Sequence, residues 1–115
     1  MNRTLLAAAA PKWIAIEALS AQTKLRMLAM FVEAIMDAIE LDGREPDTWE
    51  AMYLVYAIHA LVGGMYYGAL TFAELALTEP EAHRPPRLLP DGPEPVTLSN
   101  LREAMDLVRT KLEKW

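Results

Sequence analysis

Few side chains in this sequence can act on a substrate, and of its two histidines His59 is the one that sits inside a helical pattern. An imidazole titrates near neutrality, so it can move a proton, hold a metal ion or accept a phosphoryl group. Each of these roles needs company. A metal needs several converging ligands, and neither the Glu-x-x-His spacing of di-iron bundles nor a His-x-x-x-His pair surrounds His59. Neither a metal nor a cofactor is expected. Glu33, Asp37 and Glu40 recur at four- and three-residue steps and with Arg26 form one narrow stripe of a helix, which reads as a solvated face or an acidic surface for a protein partner. There is no nucleophile elbow, no phosphate-binding loop and no dinucleotide fingerprint. Catalysis therefore has little support in the sequence.

The elements that must position these groups come from one small chain. Its 115 residues suit a single domain spanning 1–115. Hydrophobic residues make up 53% and charged residues 23%, so a core is available, and the apolar excess points to a subunit interface and hence a homodimer. A net charge of −5 repels a phosphate backbone and makes nucleic acid an unsuitable partner. The chain has no cysteine, which removes disulfides and a thiol nucleophile and fits a reducing, cytoplasmic setting. The opening Met1–Pro11 imitates a signal peptide, but its apolar run is shorter than the roughly 7–15 residues needed, so a frayed or helical N-terminus is expected.

Apolar residues repeat at three- and four-residue steps and nowhere alternate for long, so the fold class is all-α. Ile14, Ala18, Ala21, Leu25, Leu28, Val32, Ile35 and Ile39 run through residues 12–41, as one helix or as two separated by a cap at Ser20 or Thr23. Leu41–Pro46 is a turn, and Asp47 with Glu50 forms a capping box that starts the next helix. From Ala51 to Ala73 there is no formal charge, and the run extends to Leu77, which predicts one long helix buried on nearly every side. That length matches a bilayer crossing, but His59, three glycines, four tyrosines and acidic flanks speak against a membrane span. Ala57, Ala60, Gly64, Gly68 and Thr71 line up as a small-residue stripe containing a Gly-x-x-x-Gly pattern, expected to pack closely inside the core or across a dimer. The competing reading is an apolar small-molecule carrier, with Met30, Phe31, Met65 and Tyr66 lining its pocket.

On that helix His59 shares a face with Val55, Val62, Tyr66 and Leu70, which predicts a core histidine bonded to a tyrosine hydroxyl. The segment His59-Ala-Leu-Val-Gly63-Gly64, on a helix opened by Asp47-Thr-Trp-Glu and preceded by the Leu28–Glu40 helix, resembles the His-x-Leu-Lys-Gly motif of histidine phosphotransfer domains. The resemblance covers roughly residues 25–80 and implies a four-helix bundle whose His59 accepts a phosphoryl group from a receiver-domain aspartate, or a form that docks on receivers without transfer. Two departures stand out: Val62 occupies the position of the motif lysine, and Gly68 falls one residue short of the later glycine.

Residues 79–96 hold six of the eight prolines and read as a long Pro-rich connection, with His83, Arg84 and Arg87 as a possible recognition segment. Caps among Thr97–Asn100 then open a last helix whose seam is Leu98, Leu101, Met105, Val108, Leu112 and Trp115. The whole reads as an up-and-down bundle of about four helices, acting as a non-catalytic, self-associating interaction module that presents the Pro-rich connection or the acidic stripe to a partner.

Overall fold

A computed structural model of the chain describes residues 3–78 and 96–115, and among them every regular element is a helix. The order is α1 (Arg3–Ala8), α2 (Trp13–Ile16), α3 (Ala21–Leu41), α4 (Thr48–Val62), α5 (Tyr66–Thr78) and α6 (Leu98–Glu113). Apart from Val96, the Pro-rich connection with His83, Arg84 and Arg87 lies outside the described residues.

Local chemistry sets the helix starts. The short α2 ends at its C-cap Glu17, and Ser20 caps α3, its hydroxyl accepting from the Thr23 amide at 3.2 Å, so the 12–41 stretch is two helices. Asp47 accepts from the Trp49 and Glu50 amides, while Glu50 Oε1 accepts from the Asp47 amide at 2.9 Å, completing the capping box. Thr97 and Asn100 make the same reciprocal pair at the start of α6.

The predicted helix from Asp47 to Leu77 breaks at Gly63-Gly64-Met65. Gly64 adopts φ +77°, the Met65 amide donates to the Ala60 carbonyl at 2.8 Å, and the Gly64 amide donates to the Leu61 carbonyl at 3.2 Å. This is a Schellman ending, in which a left-handed residue turns the chain away and two orphan carbonyls are satisfied. Helical periodicity alone does not register it, because the apolar residues on both sides continue the same rhythm. α5 folds back along α4, placing the Phe72 ring 5.3 Å from the Tyr56 ring.

Polar contacts give the other directions. Arg102 reaches Asp37 and Glu40 on α3 while Arg109 reaches Glu33, so α3 and α6 run oppositely. The Leu98 amide donates to Glu45 Oε2 just before α4, and Lys111 Nζ donates to the Val62 carbonyl at its end, so α4 and α6 run the same way. The core between them holds Leu25, Leu28, Ile35 and Met36 of α3, Leu54, Ile58 and Leu61 of α4, Ala69 and Ala73 of α5, and Leu101, Met105 and Val108 of α6, all buried.

Two faces are wetter than the periodicity suggests. On α3, Met27, Met30 and Leu41 are exposed beside the charged stripe, and on α6 Trp115 is 52% exposed, leaving the seam to its first residues. The tight turn before α4 is held by a buried carboxylate: Glu50, only 1% exposed, receives both terminal nitrogens of Arg44 at 2.7 and 2.9 Å. That hydrogen bonding, partly opposed by burial, holds the Arg44 guanidinium in its charged form beyond its ordinary range.

Candidate functional site

His59 is exposed, and its imidazole makes no hydrogen bond among the described residues; the expected core histidine bonded to a tyrosine is not formed. The reason is the helix break. An uninterrupted helix would put Tyr66 on the face of His59, whereas the turn at Gly64 carries Tyr66 onto a second helix and leaves the outer side of α4 facing water.

Laid out at 100° per residue, Thr48, Met52, Val55, Tyr56, His59, Val62 and Gly63 fall within about 60° of His59. All seven are exposed or half-buried, and none is formally charged at neutral pH. Tyr56 is 45% and Val62 37% exposed, and Met65 in the adjoining turn is 63% exposed. The contrast with α3 and α6 is chemical. Their outer faces are covered by charge, and most of it is paired: Arg102 with Asp37 and Glu40, and Arg109 with Glu33 and Asp106. Hydrogen bonding to Glu33 raises the Arg109 pKa. The acidic stripe of Glu33, Asp37 and Glu40 thus already has its counter-charges on α6.

A cation missing from the local sequence arrives from the last helix. Lys111 Nζ donates to the Val62 carbonyl at 2.8 Å, at the position where the phosphotransfer motif carries its lysine, and the same nitrogen stands over the Trp115 ring, 5.9 Å from its centroid. A lysine there satisfies an orphan carbonyl and the negative end of the α4 dipole. Only the tertiary arrangement brings residues 62 and 111 together, so no local motif could have found this contact.

The small-residue stripe is divided by the break. Ala57 and Ala60 are buried in the chain's own core, Gly64 is in the turn, and Thr71 is exposed with its hydroxyl donating to the Tyr67 carbonyl. A Cβ at Gly68 would meet only the Met65 side chain at 4.0 Å, so among the described residues no other helix presses on that glycine. The four residues named for an apolar pocket are also scattered in exposure: Phe31 is buried, Tyr66 half-buried, and Met30 and Met65 lie out in solvent.

A polar cleft of about 450 Å³ opens between the α3–α4 turn and the start of α6, lined by Glu40, Gly43, Arg44, Glu45, Leu98, Ser99 and Arg102. Both arginines there are engaged by carboxylates, which leaves it without a free charge to capture an anion. Among the described residues no cluster of three His, Asp, Glu or Cys side chains is arranged to hold a metal, and no helix is long and apolar enough to cross a membrane. Compared with protein-family models, curated proteins and solved structures, the chain matches none.

Proposed function

We propose that this chain is a small soluble helical interaction module without catalysis of its own, which self-associates and binds protein through the outward face of α4. The observation that carries it is the uncharged, partly apolar exposed strip from Met52 through Tyr56, His59 and Val62 to Met65, set against the paired charge on the outer faces of α3 and α6. Apolar area left in water costs about 25 cal/mol per Å², so a contiguous strip of it favours a covering partner. Tyrosine and histidine suit such a surface, each offering an apolar ring and a polar tip. We read α3 to α6 as an up-and-down four-helix bundle that holds this strip rigid, a reading supported by the running directions of α3, α4 and α6 and the fold-back of α5. A cytoplasmic setting belongs to the same proposal and rests on the absence of cysteine. Sedimentation at micromolar concentration tests it: wild type should associate and Tyr56→Glu with Val62→Glu should be monomeric at unchanged helicity, whereas association that survives both charges removes this face from the account.

A second reading is a phosphotransfer-like or receiver-docking role for His59. Its specific support is the combination of an exposed imidazole with Lys111 on the Val62 carbonyl, one helical turn along α4. A phosphoryl group carries close to two negative charges, and a lysine at that end of the helix can offset part of it. Incubation with a phosphorylated receiver domain should label wild type and leave His59→Gln unlabelled. No label on either, with binding retained, leaves docking alone.

A further inference from the structure

We infer that the Gly63–Met65 turn is a swap hinge, through which two copies of this chain exchange α5 and merge α4 with α5 into one helix. This rests on the self-association proposed above but not on the outward face of α4, because the contacts exchanged are the buried ones between α4 and α5.

The residues on both sides of the turn favour a continuous helix. Ala51–Ala73 contains no charge and no proline, and the apolar rhythm runs through the break without losing phase. What opposes the merged helix is one backbone conformation, Gly64 at φ +77°, which an L side chain rarely adopts. Space is not the obstacle: a Cβ at Gly64 would meet only Lys111 Nζ, at 3.9 Å. The turn is three residues long; its hydrogen bonds from Gly64 to Leu61 and Met65 to Ala60 end α4, while the Met65 carbonyl already accepts from the Ala69 amide as it would in a continuous helix. Short hinges of this kind invite exchange between identical chains.

Leu54, Ala57, Ile58, Ala60 and Leu61 on α4 and Ala69, Leu70 and Ala73 on α5 are buried in the closed chain, and opening the hinge uncovers those of them that α4 and α5 bury against each other. The surface that fits this bare face is α5 of a second copy, since the same residues meet in the same register. The merged helix also restores Ala57, Ala60, Gly64, Gly68 and Thr71 to one continuous side, which the closed chain divides. Exchange thus conserves the core while removing two left-handed residues per dimer, so its population is set by chain concentration and by residue 64.

The chain has no native cysteine, so spin labels on Thr48→Cys and Thr78→Cys, both exposed, report on one chain diluted in excess unlabelled protein. In the closed chain the two ends lie side by side; in a merged helix thirty residues separate them by about 45 Å. Replacing Gly64 by Ala should raise the association constant by roughly a hundredfold, since each of two hinges sheds a left-handed penalty, and should bring in the long distance. Gly64→Asn, which tolerates the left-handed region, should stay near wild type. Wild type refolded at millimolar concentration should give a dimer fraction with the long distance, which covers the case of an alanine variant that does not fold. A Gly64→Ala protein that stays monomeric, or dimers of any of these proteins that show only the short distance, would overturn the inference. A charge at Val62 alone, which leaves the Tyr56–Phe72 contact of α4 with α5 in place, should leave the exchanged dimer intact, so its failure and that of the α4 face are read separately.

Discussion

Tyr56 and Phe72 stand eight residues on either side of Gly64, and their ring centroids lie 5.3 Å apart at an interplanar angle of 54°. In an uninterrupted helix the same two residues would be about 24 Å apart along the axis. Their meeting fixes α4 and α5 as a hairpin centred on the glycine, so that the side of α4 away from α3, α5 and α6 is left to solvent. The exposure of His59 follows from this pair as much as from its own place in the sequence.

A double-mutant cycle on Tyr56→Ala and Phe72→Ala should return a coupling of about 0.5–1.5 kcal/mol, the range for aromatic pairs beyond their area burial. Urea unfolding of the four proteins measures it. A coupling of zero would mean that the rings do not meet and that the hairpin is not the solution form.

Removing the guanidinium of Arg44 should destabilise the chain by about 3 kcal/mol, because Glu50 would be left buried and charged without its fork of donors. The estimate is at the low end for such pairs since the Arg44 side chain is itself 36% exposed. Arg44→Ala should lower the urea midpoint at constant slope, and Arg44→Ala with Glu50→Gln should recover part of the loss.

Much of the framework was legible from the chain. The all-helical class, the caps at Ser20 and Asp47, the turn near Gly43 and the seam of α6 through Val108 follow from local periodicity and capping chemistry. The break at Gly64 was legible in principle, since paired glycines punctuate helices, but the Gly64-x-x-x-Gly68 spacing also spells a helix-packing motif, and on that reading the helix continues through both glycines. Burial of His59 was then inferred from a helix that does not exist. The contacts of Lys111 with Val62 and of Arg102 with Asp37 are separated by 49 and 65 residues, beyond the reach of any local pattern.

The ion pairs between α3 and α6 are exposed and should contribute little individually. Arg102→Ala with Arg109→Ala should lower the melting temperature slightly at low ionic strength, and the loss should shrink in 1 M salt as screening shortens the reach of each charge. Thermal unfolding of both proteins at the two salt concentrations checks this; an equal loss at both would assign the arginines a packing role instead.

The apolar seam of α6 carries more. Met105 and Leu101 are fully buried, and truncating either to Ala should cost about 2–5 kcal/mol through lost transfer energy and the cavity left behind. Leu107→Ala, on the exposed side of the same helix, should change stability by less than about 0.5 kcal/mol.

The account turns on the outward face of α4 being a surface that protein covers. Hydrogen exchange reads backbone amides rather than side chains, so the direct measurement is sedimentation of wild type beside Tyr56→Glu with Val62→Glu over a micromolar concentration series. Concentration-dependent association of the wild type, lost in the charged variant at unchanged circular dichroism, is the predicted result. A wild type that sediments as a monomer throughout, or a charged variant that associates as well as its parent, would contradict it.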